Sequence, residues 1–305
     1  MGGLGEDGSL KIAAVLYRQG GQNDFWPGPL TTTGDASVDA DVCNAYDKFW
    51  TTSRAEAEAH VQWKNCGGDP DCLAEAFPNG YSIPTSFTTW PAEGIVEAGQ
   101  SAYLAPFFDY DGDGAYIPEE GDYPDYGFEI TVEECKTKDS NDPVPLFGDQ
   151  NIYWIFNDKG EAHTETNGFP IGLEVRAQAF AFSSNDEINN MTFYNYTVIN
   201  QGSQTLTNTY FGHFVDPDLG NADDDFTGCD VERGMGYAYN WDDNDESTDA
   251  GVGYGNQPPA IGVDFFEGPY QDADTLDNPG PEAGLSCQDY ANQDIAGIPY
   301  AGLGI

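Results

Sequence analysis

Leu173, Val175, Ala177, Ala179 and Ala181 alternate with Glu174, Arg176, Gln178, Phe180 and Phe182, the period of two that predicts a β-strand over 172–182. Before it, Ile152-Tyr153-Trp154-Ile155-Phe156 makes a near-continuous apolar run over 151–157, as in a strand covered on both faces. Aromatic and β-branched stretches predict further strands over 191–200, 209–215, 234–241 and 260–266, with Asn200-Gln201-Gly202-Ser203 as a connecting turn. The N-terminal part reads differently. It offers one strand over 9–17, an aromatic loop over 22–30, helices over 41–50 and 53–63, and a strand over 128–133. Ser53 is placed to cap the second helix. Residues 84–106 are irregular, and 136–145 form a polar spacer. The pattern predicts an all-β fold, an antiparallel β-sandwich or jelly roll with long loops and a few short helices near the N-terminal third. It divides into a loop-rich region, 1–147, and a β core, 148–305, unless the two are one continuous domain. No internal repeat is evident.

Composition sharpens this picture. With 18 Tyr, 18 Phe and 6 Trp in 305 residues, the chain is too aromatic for a disordered acidic tail. It carries 53 acidic against 10 basic residues, a net charge of −43, and the acid is mostly Asp: 34, against 19 Glu. Asp favours turns and metal loops over helices. Self-repulsion on this scale destabilises a compact state unless cations offset it. Because the acid is clustered, specific cation sites are expected ahead of general adaptation to salt. Without a basic patch, nucleic acid and anionic membrane are excluded as partners, and no apolar run reaches membrane-spanning length.

The sharpest motif is Asp109-Tyr110-Asp111-Gly112-Asp113-Gly114, continuing through Glu119, Glu120 and Asp122. An EF-hand loop takes ligands at positions 1, 3, 5, 7 and 12, with Gly at 6 for the sharp turn. Counted from Asp109, these are Asp111, Asp113, the carbonyl of Ala115 and Glu120, with Gly114 at the turn; Asp122 stands close by. Pro106 and Pro118 exclude helical flanks, so the loop is expected between strands or loops. A second acidic stretch holds Asp216 and Asp218 around Pro217, then Asp223-Asp224-Asp225 and Asp230, with Asp242, Asp243 and Asp245 beyond. Carboxylates this dense must protonate, repel or share a cation. A second calcium site is therefore expected among Asp216, Asp218, Asp224, Asp225 and Asp230.

Six cysteines, Cys43, Cys66, Cys72, Cys135, Cys229 and Cys287, allow three disulfides. Cys66 and Cys72 can close a local loop, and Cys229 with Cys287 a long-range one. Zinc is disfavoured, with no CxxC and three His. Disulfides and millimolar calcium both point outside the cell. His60, His163 and His213 neighbour no GxSxG or HExxH pattern, so no catalytic set is expected. Phe25, Trp26, Trp90, Tyr123, Tyr126 and the Tyr237/Tyr239/Trp241 group are candidates for sugar stacking. Asn190 and Asn195 head sequons within a predicted strand, and Asp274-Thr275-Leu276 makes Thr275 an O-glycosylation candidate.

These motifs form a series. Phe25-Trp26-Pro27-Gly28-Pro29-Leu30, the Asp109 loop with Gly121-Asp122-Tyr123-Pro124, Gly148-Asp149-Gln150 and Phe156-Asn157-Asp158 open it. Pro170-Ile171-Gly172-Leu173-Glu174-Val175, Val215 to Asn221, Gly228-Cys229-Asp230-Val231 and Gly262-Val263-Asp264-Phe265-Phe266 continue it. Together they resemble a family of large secreted Bacteroidota surface proteins that end in a type IX secretion sorting domain. The resemblance spans nearly the whole chain and implies an extracellular location and bound calcium, but no enzymatic activity. In that family the similar region continues to a sorting domain, so with no leader visible at Met1 the 305 residues are read as part of a longer chain. The chain is also similar in character to surface proteins whose β-sandwich subunits stack into fibres. The expected role is a subunit of a surface filament or layer, self-associating and calcium-loaded. The alternative is an adhesin or carbohydrate-binding module.

Overall fold

The computed structural model describes residues 1–16, 20–125, 146, 148–230, 233–249 and 251–264, and pairs 270–271 with 298–299 as strand. In chain order the first elements are β1 (Gly2–Leu4), β2 (Leu10–Ile12), β3 (Trp26–Pro27), α1 (Ala40–Tyr46), β4 (Trp50–Ser53), α2 (Arg54–Asn65), α3 (Pro70–Ala76) and α4 (Thr85–Thr88). Next come β5 (Phe107–Phe108), β6 (Tyr123–Pro124), β7 (Gln150–Asn157), β8 (Leu173–Ala181), β9 (Thr192–Asn200) and β10 (Thr207–Tyr210). The rest are β11 (Asp225–Asp230), β12 (Met235–Asn240), β13 (Asn244–Asp245), β14 (Gly255–Asn256) and β15 (Ala260–Asp264). The chain is mostly sheet with a few short helices, and every pairing between named strands is antiparallel.

The described residues divide into two compact units, one up to Phe211 and the other from Gly212. The expected division at 147/148 falls inside the first, because β3 and β4 from the N-terminal part pair with β7. In this unit β7 and β8 form the centre of a five-stranded sheet, with β9 at one edge and β3 and β4 on the other side of β7. One face carries Tyr153 and Ile155 into a core with Trp50, Ala57, Phe87, Trp90, Leu104, Phe108, Tyr123 and Leu146. A sandwich would place a second sheet here. Among the described residues this layer is instead α2, α4, the β5–β6 ribbon and the irregular chain between. β7 is accordingly buried at alternate positions, with Ile152, Trp154 and Phe156 half-buried on the other face. Ala13, Ile171 and Leu173 form a smaller cluster, joined by Met1, Phe25 and Val198.

Local chemistry explains the helices. Ser53 and Glu56 form a reciprocal capping box that starts α2 directly from the end of β4. Asp69 caps α3, and Pro70 takes its first turn, where no N–H is needed. The helix expected over 41–50 stops at Tyr46, since Trp50 pairs with Tyr153 and places its ring in the core. The strand expected over 9–17 shortens to Leu10–Ile12, and that over 209–215 ends at Tyr210. In the second unit, β11, β12 and β15 form a three-stranded sheet. The strand expected over 128–133 lies outside the described residues.

Candidate metal centre

The Asp109 loop springs from the two-residue ribbon of β5 and β6. Phe108 pairs with Tyr123, and their buried rings stack at 4.9 Å, anchoring both ends of the loop in the core. The loop therefore lies between strands and has no helical flanks, within the expectation of strands or loops on either side. Within the loop, each Asp turns its own backbone. Asp109 accepts from the N–H groups of Gly112 (2.7 Å) and Gly114 (2.8 Å), Asp111 from Asp113, and Asp113 from Ala115. Gly114, at the position where the calcium loop needs its sharp turn, has φ +83°.

These turns bring one carboxylate oxygen each of Asp109, Asp111 and Asp113 within 4.8 Å of one another. At that separation each pair of charges repels by roughly 1 kcal/mol in water and more near a protein surface. A cation held between them reverses the sign of that interaction, so the cluster can hold a metal ion. Its donors are all carboxylate oxygens, the donor type that hard cations take.

Two other expected ligands, Glu120 and Asp122, are not in this cluster. Glu120 ends a short 3-10 turn (Pro118–Glu120), is exposed, and is not in the cluster. Ala115 follows Asp113 and donates its N–H to it. Asp122 is turned inward, 2% exposed, and accepts from the N–H groups of Tyr110 (2.8 Å) and Ile117 (2.7 Å), tying the loop's start to its end. Burial pushes its pKa up and the two amide bonds oppose this, while Asp109 and Asp111 add to the rise. Against the loop lies α2, whose Lys64 sits over the Tyr110 ring at 5.1 Å. His60 of the same helix is fully buried and meets the Tyr81 hydroxyl at 2.7 Å.

In the second unit, Asp216, Asp218, Asp224, Asp225 and Asp230 do not converge into a comparable group. Asp216 and Asp218 are exposed in irregular chain, and Asp230 pairs with Arg233. Asp224 accepts from Asn221 Nδ2 at 3.2 Å, and Asp225 Oδ2 from the Leu219 N–H at 2.8 Å. Asp245 is the residue here that sequence reading undervalued. It is 1% exposed and accepts from the N–H groups of Asn221 (3.2 Å) and Tyr254 (2.7 Å), so it organises the loops around β13 and β14.

Cys66 and Cys72 form the expected local disulfide. Cys43 and Cys229 carry free thiols; Cys135, Cys287 and Thr275 lie outside the described residues, and the expected Cys229–Cys287 staple lies there with them. Of the aromatic candidates, Trp90 and Tyr123 are core residues, and Trp26 stacks on His163 at 6.0 Å. Tyr126 lies outside the described residues, whereas Tyr237, Tyr239 and Trp241 are exposed beside Phe226. No protein-family model, no curated protein and no solved structure matches the chain.

Proposed function

We propose that this chain is an extracellular, calcium-stabilised structural protein, a subunit of a bacterial surface filament or layer. The observation that carries the reading is the Asp109/Asp111/Asp113 cluster held by its own turns on a ribbon rooted in the core. Calcium bound there makes rigid a loop that its own charge would otherwise loosen. The same ion answers part of a net charge of −43 that would keep copies of the chain apart. The Cys66–Cys72 disulfide fits an oxidising, extracellular setting. The likeness of its motifs to secreted surface proteins adds the location and the assembly.

The test is electron microscopy of the purified chain in calcium and in chelator. Ordered filaments or sheets in millimolar calcium that disperse on chelation are the expected result. A dispersed monomer at high concentration in calcium contradicts the assembly role.

A further inference from the structure

Asp225 opens β11 and Asn240 closes β12, and the two face each other across the ladder. Directly opposed residues of an antiparallel pair carry their side chains on one face, with Cβ atoms about 5 Å apart. Each of these side chains holds a buried oxygen that meets no hydrogen-bond donor: Oδ1 of Asp225 and Oδ1 of Asn240. Their orientations are fixed from the other side. Asp225 Oδ2 accepts from the Leu219 N–H at 2.8 Å, and Asn240 Nδ2 donates to the Asp242 carbonyl at 3.1 Å. Asn240 is 6% exposed, so its amide oxygen is shut away from bulk water.

Two buried acceptors side by side, one of them a carboxylate oxygen, are costly unless a donor or a cation lies between them. The surroundings favour the cation. Asp245, Glu246 and Asp225 all act on Asp224 as negative neighbours. From Gly212 to Ile305 the chain has 20 acidic residues and a single basic one, Arg233, which is already paired with Asp230. We infer that Asp225 Oδ1 and Asn240 Oδ1 are two ligands of a second cation site, distinct from the Asp109 loop and selective for calcium. A carboxylate with an amide oxygen suits calcium, which accepts neutral carbonyl donors and irregular geometry; magnesium holds its waters and its octahedron, and zinc prefers nitrogen and sulfur. The site locks the Leu219 segment to the open end of the β11–β12 pair. The inference deepens the calcium reading of this chain but stands on different residues, so the two are separable.

The experiment counts calcium bound to the full chain by metal analysis and calorimetry, for the native chain and for Asp111→Asn, Asn240→Leu and Asn240→Asp. Asn240→Leu should bind one ion fewer than the native chain while the Asp109 site keeps its affinity. Asn240→Asp should tighten that same site about tenfold by adding a charged ligand and should melt lower than the native chain in chelator. A purely structural asparagine would not give that pairing of effects. Native calcium count and affinity in both Asn240 variants overturns the inference and leaves an ordered water between the two oxygens. Loss of an ion in Asp111→Asn alone supports only the Asp109 loop. Loss in Asn240→Leu alone overturns the loop reading and retains this one. Should Asn240→Leu fail to fold, the Asn240→Asp titration decides by itself, native affinity counting against the site.

Discussion

A carboxylate buried beside two others ought to take up a proton, and burial does raise the pKa of Asp122. Two backbone N–H groups nevertheless face its oxygens, so its work is to close the loop. Asp122→Ala leaves both amides without a partner and is expected to cost about 3 kcal/mol in urea denaturation, with Asp122→Asn costing about half. His60 titrates in the opposite sense. Burial holds its pKa below the usual histidine value, outweighing the backbone of Pro118 and Asp122. The unfolded chain therefore takes up a proton first as pH falls below about 6.5. Stability from this residue is complete above that pH and drains away as pH drops through the folded value. Its partner Tyr81 is pushed up to about 12, by burial and then by Glu56, and stays a neutral phenol throughout. Denaturation between pH 7.5 and about 5 should show this decline in the native chain and a flatter profile in His60→Gln; equal slopes would contradict the assignment.

Among the elements, the Cys66–Cys72 bond ties the end of α2 to α3 across a sequence separation of six. Closing so short a loop contributes about 2 kcal/mol. Reduction should speed amide exchange in Pro70–Ala76 and leave β7, β8 and β9 protected, a contrast that hydrogen exchange resolves. Elements written in local chemistry were legible in the sequence. The period of two gave β8, Ser53 gave the start of α2, and the spacing of Asp109, Asp111 and Asp113 gave the cluster. Elements that depend on distant partners were not. β11 hides behind its terminal aspartates and Gly228, and becomes a strand only because β12 lies beside it. The signal for α3 was present in Asp69-Pro70 but sits in a short, charged stretch. Asp122 looked like a ligand because its inward turn depends on where Tyr110 and Ile117 come to rest. Asn240 stands outside every acidic cluster of the sequence, and its amide oxygen becomes a buried acceptor without a donor only where β12 lies beside β11.

At the scale of the whole molecule, charge dominates. Each described basic residue is already engaged within the chain. Lys11 donates to the Pro170 carbonyl, Lys48 and Lys64 sit over Trp50 and Tyr110, and Arg54, Lys159, Arg176 and Arg233 pair with Asp149, Asp35, Glu174 and Asp230. Arg18, Lys136 and Lys138 lie outside the described residues. Acid on this scale is thus left for ions from solution to answer. Monovalent salt screens such charge over about 8 Å at physiological strength without preferring any one site. Calcium held in a loop acts at the cluster itself, and its effect saturates.

That difference makes the decisive measurement a melting curve of the full chain in chelator and in increasing calcium, each at constant ionic strength. With an affinity near 10⁻⁴ M, as in extracellular modules, a hundredfold excess of calcium stabilises by about 2.7 kcal/mol per site. The melting temperature should rise by several degrees and then saturate, with equal magnesium giving little and Asp111→Asn losing most of the gain. An identical melting temperature in chelator and in saturating calcium would contradict the account.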